Sequence, residues 1–153
     1  MVLDDMRARE RFLDHLRWTL ALELRYQHIL QSGLVHVTYD PRDIQGLTFD
    51  AADAARQLGE VLGCLQRAFR TTDLMTREGM NFWILAPFTQ LDPVKEKVRK
   101  VLAEAPENGL AIAKSDIRIY LLRDFLKQDA PVFSDVEGFL GHLKQQAPSV
   151  NLD

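Results

Sequence analysis

The 153 residues are 46% hydrophobic and 27% charged, ordinary values for one globular domain and too short a chain for two well-built cores. Nineteen Lys and Arg against 22 Asp and Glu leave a formal charge of −3, which excludes the global positive field that drives non-specific binding to nucleic acid or anionic membranes. No apolar run reaches the roughly 18 residues of a spanning helix, the Met1 end lacks a signal-peptide core, and the lone Cys64 can form neither an internal disulfide nor a multi-thiolate metal site; a soluble, cytoplasmic domain without a resident cofactor is expected.

From Asp4 to about Arg25, Phe12, Leu16, Leu20 and Leu24 recur every four positions between Arg and Glu, which predicts a helix with one buried stripe. Gln31-Ser32-Gly33 breaks it, and Leu34 to Tyr39 has the β-branched and aromatic content of a strand ending at Asp40-Pro41. A second helix, capped by Asp50 or Asp53, carries Leu58, Leu62, Leu65 and Phe69 inward and ends at Arg70. Asp73 to Arg77 and Phe82 to Ala86 read as strands joined by the hairpin turn Glu78-Gly79-Met80-Asn81. Asp92-Pro93 then caps a third helix with Val94, Val98, Val101 and Leu102 as its stripe. Beyond Asn108-Gly109, Leu110 to Ala113 and Ile117 to Leu122 are strand candidates, and Ser134-Asp135-Val136-Glu137 opens a last helix with a capping box.

The order from Leu34 to Ala113, strand, helix, strand, strand, helix, strand, is that of a ferredoxin-like α+β domain, an antiparallel-rich sheet with flanking helices. Such a topology hosts many functions, so chemistry has to be read from sites.

The stretch Leu62 to Leu85, LGCLQRAFRTTDLMTREGMNFWIL, resembles the part of diguanylate cyclase (GGDEF) domains in which a helix ends in R-x-x-D and leads into the GGDEF hairpin. Arg70-Thr71-Thr72-Asp73 is followed by five residues and then by Gly79-Met80-Asn81-Phe82-Trp83, in the place of Gly-Gly-Asp-Glu-Phe. Arg9, Phe12, Leu16, Leu20 and Arg25 look like the family's N-R-x-x-F helix, and Val94 to Leu102 fits the helix after the hairpin. R-x-x-D alone carries no weight at this Arg and Asp content, since Arg11-Phe12-Leu13-Asp14 is a second one inside the first helix. The weight lies in the joint occurrence of Arg70, Asp73, Arg77, Gly79, the spacing and the element order.

The resemblance implies an enzyme that joins two GTP molecules through a divalent metal held by carboxylates, and this sequence departs from it at the residues that matter. Asn81 and Phe82 stand in the carboxylate positions of the turn, and a neutral amide and a phenyl ring are poor substitutes for the hard oxygen donors that Mg²⁺ needs. Met80 replaces the second glycine, whose bare backbone lets phosphate approach. The metal-binding Asp of the first strand matches Thr38, or Asp40 after a shift of two, and the guanine-binding Asn has no counterpart near Gly46. A catalytically inactive, non-metal domain is therefore expected.

The R-x-x-D implies a separate site for cyclic di-GMP, in which Arg forks onto guanine or phosphate and Asp accepts from guanine N1 and N2. By resemblance Arg99, within Lys97-Val98-Arg99, adds a second cation, while Arg77 reads as a surface charge. Without a ligand, Arg70 complements a helix C-terminus and Asp73 pairs with it or caps the turn. His15, His28, His36 and His142 have no carboxylate or Cys at ligand spacing and read as surface or packing residues. Alternation along the strand places one of Phe82 and Trp83 in the core and the other on the former active-site surface.

Two readings follow: a bacterial regulatory domain that is a cyclic di-GMP receptor through Arg70, Asp73 and Arg99, or a ligand-free docking module of a signalling or exopolysaccharide-secretion protein. Both make residues 1–153 one domain of a longer multidomain protein, with other domains, a partner protein or a second copy as partners and no nucleic acid or direct membrane insertion. A homodimer through the first helix and one through the altered turn fit the sequence equally.

Overall fold

The apolar stripes of the sequence become two layers of core on the two faces of one sheet. The computed structural model describes residues 2–26, 31–39, 51–69, 73–87, 91–107, 109–110, 112–125, 136–146, 148–149 and 152, with the backbone alone at 2–5, 51–54 and 91. Arg70, Asp40, Asp50, Gly46, Asn108 and Ser134-Asp135 lie outside these residues. Helix α1 (Val2–Arg25) precedes strand β1 (Gly33–Thr38), helix α2 (Ala51–Ala68), the strands β2 (Leu74–Glu78) and β3 (Asn81–Ala86), helix α3 (Leu91–Glu107), strand β4 (Ile117–Leu121) and helix α4 (Val136–Lys144). The sheet order is β2-β3-β1-β4 with all neighbours antiparallel, as expected for the ferredoxin-like α+β class.

Pleating sends alternate residues to opposite faces. Val35, Val37, Tyr39, Phe82, Ile84 and Ile119 pack on one face with Leu58, Val61, Cys64 and Leu65 of α2 and with Val94, Val98 and Val101 of α3. On the other, Leu34, Trp83, Leu85 and Tyr120 meet Phe12, Leu16 and Leu20 of α1 and Phe139, Leu140 and Leu143 of α4. Covering both faces corrects the expectation that Phe82 or Trp83 reaches the surface: both are fully buried, one in each core.

Four further expectations change. The fourth strand is Ile117–Leu121, not Leu110 to Ala113. Helix α3 ends on Gly109, left-handed at φ +74°, whose N–H donates to the Pro106 carbonyl while that of Leu110 donates to Ala105. Leu110 and Ile112 then fill core from off the sheet, and a short 3₁₀ turn, Lys114–Asp116, leads into β4. Leu24 is exposed, because the helical period of 3.6 carries the buried stripe from Leu20 to Glu23. On α2, Val61 and Cys64 occupy the inner face and Leu62 only its margin. Asp92 lies within the first turn of α3 rather than ahead of it.

The Ser149 N–H donates to the Ile119 carbonyl at 2.8 Å, and the Leu121 N–H to Ser149 Oγ at 3.0 Å, so the C-terminal segment covers the outer edge of β4.

Candidate functional site

The hairpin pairs Glu78 with Asn81, leaving Gly79-Met80 as a two-residue loop. Gly79 takes φ +62°, and a glycine with positive φ at the first central position is the requirement of a tight hairpin that matches the strand twist. The Tyr39 N–H donates to the Met80 carbonyl at 2.9 Å, which seats the loop beside the end of β1.

That seating brings Thr38 and Asn81, cross-strand partners, together with His36 on the α1/α4 face. Asn81 Oδ1 accepts from His36 Nε2–H at 2.9 Å and from the Thr38 hydroxyl at 3.3 Å, and Asn81 Nδ2 donates to the Glu78 carbonyl at 3.4 Å. The His36 ring stacks on Trp83, centroids 4.1 Å apart and 14° from parallel, and the Lys144 ammonium lies 5.9 Å from the Trp83 ring centre. Burial lowers the His36 pKa to about 4; the Asn81 bond opposes this shift, and Lys144 and Arg118 add to it. At neutral pH the cluster is an uncharged set of amide, hydroxyl and imidazole groups. No three His, Cys, Asp or Glu side chains converge on a metal-sized site among the described residues. Among the described residues the cluster offers an amide oxygen, a hydroxyl and an imidazole and no carboxylate, a poor match for a hard divalent cation.

Asp73 precedes β2 at the foot of α2, and its side chain is only 1% exposed. Its Oδ2 lies 3.5 Å from the Lys97 ammonium of α3, which also sits 5.4 Å from the ring centre of Phe69. Arg99, two residues on, points to solvent and donates to Glu96 of its own helix at 2.7 Å. Of the expected group Arg70, Asp73 and Arg99, Asp73 thus meets Lys97, Arg99 is engaged on its own helix, and Arg70 lies outside the described residues. Arg77, expected at the surface, is half-buried opposite Phe82.

Sequence reasoning missed two residues. Lys97 was available in the Lys97-Val98-Arg99 match, and the signal for it is spacing: Lys97 lies three positions from Val94, on the buried stripe, whereas Arg99 does not. His36 had no local signal, because its partners Asn81 and Trp83 are brought to it by the β1–β3 register.

Among the solved structures that share this architecture are two from Pseudomonas aeruginosa. The diguanylate cyclase SiaD of Pseudomonas aeruginosa, in complex with its activator SiaC, is 21% identical with a TM-score of 0.51 over 73% of this chain, which spans 44% of SiaD. The GGDEF domain of P. aeruginosa PA1120 (TpbB or YfiN), solved without the protein's N-terminal part, is 19% identical with a TM-score of 0.57 over 92% of this chain and 85% of that one. No protein-family model and no curated protein matches the sequence. The structural similarity, over 73% and 92% of the chain, gives this chain the fold of GGDEF domains.

Proposed function

We propose that this chain is a catalytically inactive GGDEF-type domain that acts as a regulatory module, one unit of a longer cytoplasmic bacterial protein. The observation that carries the reading is the Asn81 cluster. Where the resemblance calls for carboxylates on a metal, Asn81, Thr38 and His36 hydrogen-bond one another, and Phe82 turns its ring into the α2/α3 core. By the same resemblance, Met80 stands in the place of the glycine whose bare backbone lets phosphate approach. No helix among the described residues is long and apolar enough to cross a membrane. The test is incubation of the purified, folded protein with GTP and Mg²⁺ or Mn²⁺, followed by chromatography. No cyclic di-GMP is expected, and sustained product would overturn the reading.

Two modes of regulation remain within it, a cyclic di-GMP receptor through Arg70, Asp73 and Arg99, and a ligand-free module that docks a partner protein. The burial of Asp73 against Lys97 favours docking for the resting chain, because the carboxylate that would accept from guanine is already engaged. SiaD is a neighbour in fold that was solved with a protein activator, which is support for protein partners.

A further inference from the structure

The altered turn and the first helix differ in what they can offer a second copy of the chain. At the turn Phe82 and Trp83 are buried, and Met80, 36% exposed, is the apolar side chain left at the surface. On α1 the side opposite Phe12, Leu16 and Leu20 carries Trp18, Leu22 and Tyr26 at intervals of four, a single stripe on a helix. Trp18 is 59% and Tyr26 48% exposed, and Leu22 lies half-buried between them. The Tyr26 N–H donates to the Leu22 carbonyl at 2.9 Å, which keeps Tyr26 in helical register past Arg25. Asp14, His15 and Trp18 line an open depression on the same side, one turn before Leu22.

The two ends of this stripe carry opposite charge. Asp14, at the start, has an exposed pair with Arg17 of its own helix at 3.3 Å, a contact of little energetic weight. Arg25, at the end, lies 5.5 Å from the Tyr26 ring centre and meets no carboxylate among the described residues. Two such helices laid parallel would set Asp14 against Asp14 and Arg25 against Arg25. Laid antiparallel about a two-fold axis level with Leu20, they set Asp14 against Arg25 and Trp18 against Leu22, and each contact recurs across the axis, as an isologous interface requires. We propose that α1 is a self-association surface on which a second copy of this chain packs antiparallel. In that pair Trp18 covers the second copy's Leu22, Asp14 faces its Arg25, and its Tyr26 enters the depression beside His15. One helix pair is a small interface beside the roughly 800 Å² per partner of standard complexes, so association is weak and concentration-dependent.

Sedimentation velocity of the purified chain, from low to high micromolar concentration, tests this, with thermal unfolding showing that each variant is folded. Wild type should pass from monomer to dimer over the range, and Trp18→Ser should stay monomeric. Asp14→Arg and Arg25→Asp should each weaken the dimer about tenfold or more, because the two-fold axis counts every repulsion twice. Asp14→Arg combined with Arg25→Asp restores opposite charges across the axis and should recover dimer lost in either single variant. A wild type that remains monomeric throughout, or a dimer indifferent to Trp18→Ser, would refute the surface. A double variant no better than the single ones would refute the antiparallel register. The inference goes beyond catalytic inactivity, which the GTP incubation tests separately.

Discussion

The end of β1 with the hairpin loop and the foot of α2 with Asp73 are the two places that the proposed reading singles out, and they differ in kind. At the hairpin the groups are neutral and mutually bonded, Asn81 to His36 and Thr38, and the adjoining aromatics Phe82 and Trp83 are core. At the Asp73 corner the charges remain and are covered by Lys97. The first region is a neutral cluster that runs from the buried His36 to the exposed Thr38, and the second is a buried carboxylate facing a cation; the first should therefore behave as structure with little pull on an anion or a metal.

The largest effect is expected from Trp83→Ala. A fully buried Trp stacked on His36 and packed against α1 and α4 should lose about 3 to 5 kcal/mol, read from urea unfolding. A loss below about 1 kcal/mol would mean that the hairpin region is a surface after all.

His36 gives the same region a pH signature. Its pKa is about 4 in the folded chain against 6.5 for an unperturbed histidine, so the unfolded chain takes up the proton first as pH falls. Its contribution is complete above about pH 6.5 and is lost on descending toward about pH 4, amounting to about 3 kcal/mol over the window. Urea midpoints at pH 7 and pH 4.5 should differ less in His36→Phe than in wild type, and an unchanged difference would contradict the neutral cluster.

The Asp73 corner yields the smallest expected change. Under the receptor reading, Arg70→Ala should weaken cyclic di-GMP binding about ten- to hundredfold, the roughly 1 to 3 kcal/mol of a forked Arg contact with guanine. Arg11→Ala, in the other R-x-x-D, should leave it unchanged, since Arg11 is on the exposed side of α1.

Much of this fold was legible because periodicity reports faces. Phe12, Leu16 and Leu20 of α1 and Val94, Val98 and Val101 of α3 are buried as their spacing requires, and Gly79 marked the turn. What was not legible depends on contacts distant in the chain. Leu110 to Ala113 has strand composition, yet β4 begins only at Ile117, where it pairs with Val37. Alternation separates Phe82 from Trp83 without saying that α1 and α4 cover the second face. At the candidate site the departure from the family's turn could be read directly from Asn81 and Phe82. The replacement of Arg99 by Lys97 as the cation facing Asp73 needed the approach of α3 to the foot of α2.

The central claim is that the hairpin region has exchanged metal and nucleotide binding for structure. Calorimetric titration of the folded wild-type protein with GTP in the presence of Mg²⁺ tests it most directly. The account predicts no saturable heat at high micromolar GTP. Saturable, Mg²⁺-dependent GTP binding that is lost in Asn81→Ala would contradict it.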